Sequence, residues 1–293
     1  MKNVISCSRR TDIPAFYYDW LQSALKAGHI VTQNPLYPEN EYDISLSPDD
    51  VSAIVLWSKN FAPFIKNIGE LENFNLYFQY TITGYSRLME PNIPSYEESM
   101  KTLEKMLGKY NPEAFNIRFD PIILSTKGEV YPTPEKPGKA RLIAFERLCK
   151  DLHTLGMDNC RLTTSYISLY GDTEKKLQKS GIDYLNLNES VQIEFMKRMA
   201  EIADKYNRDI YTCANDKFLG IPNIKKGHCI DGDLLSDLFP DKFSKAKDQG
   251  QRKECGCHKS IDIGAYQQSL NKCANYRTQK CPGNCRYCYA SKE

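Results

Sequence analysis

Residues 53–83 read AIVLWSKNFAPFIKNIGELENFNLYFQYTIT, and this stretch decides the fold of the chain. Residues 53–57 form a short, wholly apolar run, which is typical of a strand that is buried on both faces. A helical pattern follows over residues 61–71, and residues 75–83 return to a strand pattern. A strand, a helix and another strand in this order predict a parallel unit with a right-handed crossover.

The same alternation of strands and helices continues on both sides of this unit. Further strand patterns lie at residues 4–7, 115–119, 161–167 and 209–213, and helical patterns lie at residues 95–109, 140–155 and 189–206. Residues 30–34 and 42–46 flank a turn rich in Pro and Asn, which predicts an inserted hairpin. About six parallel strand–helix units favour an α/β fold built as a partial TIM-type barrel, with a doubly wound open sheet as the alternative.

The composition limits the class of protein. The chain has 293 residues, of which 41% are hydrophobic, so it can bury a full core. Its net charge of +2 provides no overall attraction for nucleic acid, although a local basic patch is compatible with that value. No apolar run approaches the ~20 residues that span a bilayer, and the first residues lack the apolar region of a signal peptide. We therefore expect a soluble, cytoplasmic protein without a membrane partner.

The placement of the cysteines divides the chain into two regions. Eight of the eleven cysteines lie at residues 213–288, where the sequence is also more polar and less periodic. We therefore predict a barrel over residues 1–213 and an irregular, cysteine-rich segment over residues 214–293 that lies across the barrel mouth. Cysteines in such a chain are more typical of metal ligands or buried thiols than of disulfides. Cys149 and Cys160, in the first region, are expected to pack as small apolar side chains.

A Cys-x3-Cys-x2-Cys motif is formed by Cys281, Cys285 and Cys288. Each iron of a [4Fe–4S] cube needs one terminal ligand beyond its sulfides, so three thiolates leave one iron open to a small molecule. The alternative is a zinc knuckle, in which His258 or Cys273 would supply the fourth ligand of a closed tetrahedral site. The spacing favours iron–sulfur, because zinc ribbons typically use paired Cys-x2-Cys elements.

A second metal site is predicted from four other cysteines. Cys213 ends the sixth strand pattern, Cys229 follows it, and Cys255 and Cys257 come next in a Cys-x-Cys pair. Four thiolates suit an auxiliary iron–sulfur cluster or a structural zinc equally well, so the identity of the metal stays open. The neighbouring His258 is expected at the surface.

Polar residues follow most of the predicted strands, and the carboxyl ends of parallel barrel strands form the face where substrates and cofactors bind. Arg118, Asp120 and Lys59 are the predicted catalytic residues. The residues predicted to contact a cofactor are Ser8, Arg9, Arg10, Asp12, Asn60, Thr81, Thr163 and Ser165. Structural roles are the alternative: Asp12 would cap a helix, Lys59 and Asn60 would end a strand, and Arg118 and Asp120 would form an ion pair inside the barrel.

Several of these stretches resemble an uncharacterised bacterial family that is known only as a domain of unknown function. The similar segments are residues 5–15, 56–60, 118–122, 255–257, 262–266 and 281–290. The family's C-terminal cysteines are similar to the motif of radical S-adenosylmethionine proteins. Residues 59–60 and 118–121 also resemble parts of spore photoproduct lyase-like enzymes, which repair DNA. Residues 269–280, including Cys273, look like an insertion ahead of the motif.

The resemblance implies that Cys281, Cys285 and Cys288 hold a [4Fe–4S] cluster whose open iron binds S-adenosylmethionine. With an external electron donor, reductive cleavage would yield a 5′-deoxyadenosyl radical that abstracts hydrogen from a substrate, and nucleic acid is one substrate class left open. If the tail folds back over the first strand, residues 8–12 would contact the cluster or the cofactor. The alternative function is a noncatalytic metal-binding α/β module, holding zinc or iron–sulfur and associated with nucleic acid.

Overall fold

The computed structural model describes residues 2–33, 40–128, 137–169, 173–249, 251–264 and 281–288. Cys273 and the rest of the apparent insertion lie outside the described residues. The chain is an α/β protein with a parallel sheet of eight strands and a separate two-stranded antiparallel sheet. The strands are β1 (Asn3–Cys7), β2 (His29–Gln33), β3 (Glu41–Ser45), β4 (Val51–Ser58), β5 (Leu76–Thr81), β6 (Phe115–Arg118), β7 (Arg161–Thr164), β8 (Ile210–Thr212), β9 (Ile224–Lys226) and β10 (Ile261–Asp262).

The order of the large sheet is β10-β1-β4-β5-β6-β7-β8-β9, with every neighbouring pair parallel. A doubly wound sheet reverses its strand order at a switch point, whereas here the order follows the chain and β10 returns to the edge of β1. Within the described residues no ladder joins β9 to β10. The segments beside these strands nevertheless meet, because the N–H of His258 donates to the carbonyl of Ile230 at 2.9 Å.

The helices of the described residues connect successive strands. They are α1 (Ile13–Phe16), α2 (Tyr18–Ala27), α3 (Ala62–Lys66), α4 (Tyr96–Leu107), α5 (Pro137–Thr154), α6 (Thr173–Lys179), α7 (Glu189–Asp204) and α8 (Gly232–Leu238). α4 begins with a capping box, in which Ser95 and Glu98 each accept a hydrogen bond from the other's backbone N–H. α2 ends at Gly28, whose φ of 75° is in the left-handed region that favours glycine.

The two faces of the sheet have different partners, because side chains alternate along each strand. Ile54, Leu56 and Phe78 belong to the main apolar core, which includes helix residues such as Leu21, Leu103, Phe145 and Met199. Ala53, Val55 and Tyr77 face the other way and pack with Cys213, Cys229, Cys255, Cys257 and Leu235. The cysteine-rich segment thus provides the core on the second face of the sheet.

The hairpin and six strands of the large sheet correspond to the segments predicted from the sequence, and these strands are β1, β4, β5, β6, β7 and β8. The short strands β9 and β10 were not predicted, because the sequence after residue 213 is polar and weakly periodic. Both of these strands come from residues after 213, and the proposed domain boundary at that position stays a prediction. None of the helices in the described ranges is long and apolar enough to cross a membrane.

Candidate metal centres at the strand ends

The carboxyl end of β1 is organised by Asp262 of the neighbouring β10. The parallel register places Ser6 opposite Asp262, whose carboxylate accepts hydrogen bonds from Ser6 Oγ at 2.8 Å and Ser8 Oγ at 2.6 Å. The same carboxylate accepts the N–H of Arg9 at 2.9 Å. The guanidinium of Arg9 also lies 3.3 Å from Asp248, and that of Arg10 donates to the carbonyl of Gly264 at 3.0 Å. The predicted cofactor contacts Ser8, Arg9 and Arg10 are thus held within the protein.

Asp12 connects the start of α1 to the end of β4. Its carboxylate accepts hydrogen bonds from the N–H of Ala15 at 3.1 Å, from Ser58 Oγ at 2.6 Å and from the N–H of Lys59 at 2.8 Å. Burial raises the pKa of Asp12 to about 6, although these three hydrogen bonds act in the opposite direction. The capping role considered from the sequence is therefore visible, and a contact with a cofactor stays a prediction.

Asn60 has a similar local role at the start of the next helix. Its Oδ1 accepts the N–H of Ala62 at 3.0 Å, and its own N–H donates to Ser58 Oγ at 2.8 Å. These hydrogen bonds shape the turn between β4 and α3, as expected for an Asn at a helix start.

Lys59 belongs to a buried polar network that includes the aromatic residue of the terminal motif. Its Nζ lies 2.8 Å from Glu90 Oε1, and Thr83 Oγ1 donates to the same carboxylate at 2.8 and 2.9 Å. The hydroxyl of Tyr287 also donates to Glu90. Burial would raise the pKa of Glu90, but the charge of Lys59 and these hydrogen bonds lower it overall, so the carboxylate stays ionised.

The terminal motif docks on the loop that follows β5. Asn92 Nδ2 donates to the carbonyl of Pro282 at 2.7 Å, and the N–H of Arg286 donates to the carbonyl of Met89 at 3.0 Å. Gly283 fits closely here, since an added Cβ would lie 3.1 Å from Ile93 Cδ1. Together with the hydroxyl of Tyr287, these contacts hold residues 281–288 at the carboxyl edge of the sheet.

Cys281, Cys285 and Cys288 are partly exposed, and none of them forms a disulfide within the described residues. Burial raises the pKa of Cys281 to about 11, against the effect of N–H donors from Asp12 and Gly283. Burial also raises the pKa of Cys285, and the positive charge of Lys59 opposes that rise. The structure thus brings Cys281 close to Asp12 and Cys285 close to Lys59 at the ends of β1 and β4, and Cys288 lies within electrostatic reach of both cysteines.

The second set of cysteines is more tightly packed. The sulfur atoms of Cys213, Cys229 and Cys257 all lie within 4.8 Å of one another, and these three residues are buried. Cys255 joins them, since hydrogen bonds with Cys213 and Cys257 lower its pKa. The N–H of Cys229 donates to the sulfur of Cys257 at 3.2 Å. This group could hold a metal ion.

Arg118 connects the second set of cysteines to the strand ends. Its Nη1 lies 3.4 Å from Cys229 Sγ and 3.4 Å from Gln79 Oε1, and its Nη2 donates to Asp120 at 2.5 Å. Burial would lower the pKa of Arg118, but Asp120 and the thiols raise it overall. Ser165 donates its hydroxyl to Asp120. The ion pair considered from the sequence is present, and the catalytic roles stay predictions.

Thr81 and Thr163 flank Arg118 in the sheet, where they are its partners on β5 and β7. Thr163 Oγ1 donates to Asn116 Oδ1 at 2.7 Å, and both side chains are buried. Thr81 is partly exposed at the end of its strand. The predicted residues Thr81, Arg118, Asp120, Thr163 and Ser165 are therefore brought together.

The expectation that His258 lies at the surface is wrong. Its side chain is buried, and Nδ1 accepts the N–H of Gly232 at 2.7 Å. The pairing of this segment with Ile230 explains the burial. His258 also groups with His228 and Asp231, but Arg161 pairs with Asp231 at 2.7 Å, and this cation disfavours a metal ion there.

Sequence reasoning missed Asp262 and Glu90. Asp262 lay within a segment noted for its family resemblance, yet no role was inferred for it. Glu90 sits in a loop whose sequence has no pattern that predicts pairing with Lys59. Only the fold brings these residues together.

The fold and the site together define a parallel α/β protein with buried cysteine thiols that could bind a metal. The chain matches the family described as Domain of unknown function (DUF1848) over residues 4–290, and it belongs to that family. No curated protein matches the chain.

Proposed function

We propose that this protein is a radical S-adenosylmethionine-type enzyme whose [4Fe–4S] cluster is bound by Cys281, Cys285 and Cys288. The observation that carries this proposal is the position of the motif: three cysteines outside any disulfide lie at the carboxyl edge of a parallel sheet, beside the ends of β1 and β4. This edge is where α/β proteins of the barrel type bind cofactors. In this proposal the sheet acts as a partial TIM-type barrel.

The donor set suits a cluster with one open coordination position. Three thiolates bind three irons and leave the fourth for a small molecule. When bound, the cluster would supply the electron that cleaves S-adenosylmethionine to methionine and a 5′-deoxyadenosyl radical. Lys59 places a positive charge near Cys285, and the N–H groups of Asp12 and Gly283 donate to Cys281. Such charges and hydrogen bonds would adjust the reduction potential of the cluster.

The predicted cofactor residues take two kinds of role in this proposal. Ser8, Arg9, Arg10, Asp12 and Asn60 shape the strand-end loops through contacts within the protein. Thr81 and Ser165, at the ends of β5 and β7, are partly exposed and are available to polar groups of S-adenosylmethionine. Arg118 and Asp120 lie between them and would orient the substrate near the radical.

Two partners follow from this chemistry. The cluster needs an external electron donor, and a reducing compartment such as the cytoplasm keeps the thiols available. The substrate class stays open. The partial resemblance to spore photoproduct lyase-like enzymes keeps nucleic acid among the candidates, although the net charge of +2 gives no general attraction for it.

Anaerobic reconstitution tests the proposal. The expected product is a brown protein with about four irons and four sulfides at the terminal motif, as a [4Fe–4S] cluster requires. With dithionite, it should convert S-adenosylmethionine to 5′-deoxyadenosine. The variant Cys285→Ala should lose both properties, whereas Cys149→Ala, on α5, should keep them. A colourless protein that holds only zinc would instead favour the noncatalytic metal-binding module, which the close packing of Cys213, Cys229 and Cys257 supports.

A further inference from the structure

We propose that Cys213, Cys229, Cys255 and Cys257 bind a single tetrahedral zinc ion that joins the two edges of the sheet. This site is separate from the terminal motif and does not depend on the proposed enzymatic activity. Its role is to hold these two edges together, so that the strand ends stay in place.

The spacing of the sulfur atoms favours one ion over a cluster. With Zn–S bonds of ~2.3 Å, the sulfurs of a tetrahedral site are about 3.8 Å apart. The sulfurs of Cys213, Cys229 and Cys257 all lie within 4.8 Å of one another. In a [4Fe–4S] cube each thiolate binds a different iron, so the sulfurs stand farther apart than around one ion. The terminal cysteines do not form such a close group.

The surroundings of the four thiols would compensate their charge. Zinc with four thiolates has a net charge of −2 and needs nearby cations or donors when it is buried. Arg118 Nη1 lies 3.4 Å from Cys229 Sγ, and the charge of Arg9 acts on Cys257. The N–H of Cys229 donates to Cys257 Sγ at 3.2 Å. One arginine and a main-chain donor therefore contact the group directly, and the charge of Arg9 acts on it without a direct contact.

The positions of the ligands along the chain explain what the ion would do. Cys213 follows β8, Cys229 lies three residues after β9, and Cys257 lies four residues before β10. Because β10 pairs with β1, one ion bound by these thiols would tie the β8–β9 edge to the β10–β1 edge. Among the described residues no ladder joins β9 to β10, and the metal would close this gap.

The burial of the site indicates a structural ion rather than a catalytic one. Cys213, Cys229, Cys255 and Cys257 are 8%, 8%, 6% and 2% exposed. Structural zinc sites have four protein ligands and no open position, whereas catalytic sites keep one position for water or substrate. Four buried thiols, three of which lie within 4.8 Å of one another, match a closed site of this kind.

Metal analysis of the full chain tests this proposal. The experiment uses a triple variant, Cys281→Ala/Cys285→Ala/Cys288→Ala, produced in cells that are supplied with both iron and zinc. This variant should hold about one zinc per chain and neither iron nor sulfide. Growth with cobalt should give the absorption bands of a tetrahedral Co²⁺ ion bound by thiolates, which replaces zinc at such sites. Iron together with sulfide in the triple variant would overturn the proposal, and so would a variant without any metal.

Two controls separate this site from the terminal one. Adding Cys229→Ser to the triple variant should reduce the zinc at least tenfold, whereas adding Cys149→Ala should leave it unchanged. If Cys229→Ser prevents folding, release of one zinc by a thiol-blocking reagent from the folded triple variant gives the same information. If the reconstituted wild-type protein holds zinc but forms no 5′-deoxyadenosine, that result would contradict only the proposed enzymatic function.

Discussion

Arg118 Nη1 lies 3.4 Å from Cys229 Sγ, while the other terminal nitrogen of the same guanidinium holds Asp120. One side chain at the end of β6 therefore contacts both the buried thiols and the polar edge of the sheet. Asp120 in turn lies within the electrostatic reach of Lys59, which pairs with Glu90 and so connects to Tyr287 of the terminal motif. The two groups of cysteines are thus linked through a short series of charged residues.

Replacement of Arg118 should weaken metal binding at the second site. Arg118→Met removes the cation that faces Cys229, and residues around a metal site typically change affinity by about 10- to 100-fold. Competition with a chromophoric zinc chelator measures this, and Arg118→Lys should recover part of the loss. Arg147→Met, which removes an exposed guanidinium on α5, is the matched control. Equal zinc affinity in Arg118→Met and the wild type would contradict the assigned contact.

Lys59→Met should destabilise the protein strongly. It leaves the buried carboxylate of Glu90 without its cation, and breaking a buried ion pair in this way costs about 3 kcal/mol or more in the free energy of unfolding. Urea unfolding of the apoprotein measures the loss. The double variant Lys59→Met/Glu90→Gln should be more stable than Lys59→Met alone, because no buried charge stays unpaired. The exposed Lys66→Met is the control, and a similar loss there would point to a nonspecific effect.

Tyr287→Phe should affect the terminal motif more than the fold. The hydroxyl donates to Glu90, so its removal frees the loop between Cys285 and Cys288 at a cost of about 1–3 kcal/mol. We expect less iron after reconstitution and less 5′-deoxyadenosine, with zinc content unchanged. Tyr42→Phe, whose side chain is 49% exposed, provides the comparison. Full iron content and full activity in Tyr287→Phe would show that this anchor is unnecessary.

Two substitutions of Asp12 separate capping from cofactor contact. Asp12→Ala removes the carboxylate that accepts three hydrogen bonds. It should lower the free energy of unfolding by about 2 kcal/mol, which is at the upper end of the range for a helix cap. Asp12→Asn keeps one acceptor oxygen and should lose less. If capping is the main role, Asp12→Asn retains 5′-deoxyadenosine formation under saturating S-adenosylmethionine. A stable but inactive Asp12→Asn would instead assign the carboxylate to the cofactor.

His258→Ala tests whether the proposed zinc ion is bound by the thiols alone or also by His258. Nδ1 of His258 already accepts the N–H of Gly232, so we expect a loss of stability of about 1–3 kcal/mol without a loss of zinc. Thermal unfolding and metal content of the same preparation provide the two measurements. Loss of zinc from a variant that stays folded would show that His258 is a ligand.

The alternation of apolar runs and helical patterns was sufficient to predict the parallel sheet. The run at residues 53–57 is part of β4, and the hairpin expected from residues 30–46 is present as β2 and β3. These patterns are local, because the burial of a strand or of one helix face depends on the apolar and polar residues that follow one another in the sequence. β9 and β10 have three and two residues, and each pairs with a strand that is distant from it or short itself, β8 for β9 and β1 for β10.

The sequence indicated which types of residue form the candidate site, but it did not indicate which residues they contact. The thiols of both groups were identified from their spacing, and Arg118 and Asp120 from the alternation along β6. Glu90 and Asp262 were not identified, although Glu90 neutralises Lys59 and Asp262 organises the end of β1. Their partners lie 31 and 254 residues away along the chain, and no local pattern encodes contacts at such separations.

The sequence by itself determined the order of strands and helices and the kinds of metal-binding side chains that the chain carries. The tertiary structure decided which of them meet. It placed Cys213, Cys229 and Cys257 within one small group on the second face of the sheet, and it placed residues 281–288 against the loop after β5. The physical reason is that secondary structure follows from neighbouring residues, whereas a site depends on contacts that form only when distant segments pack around a common core.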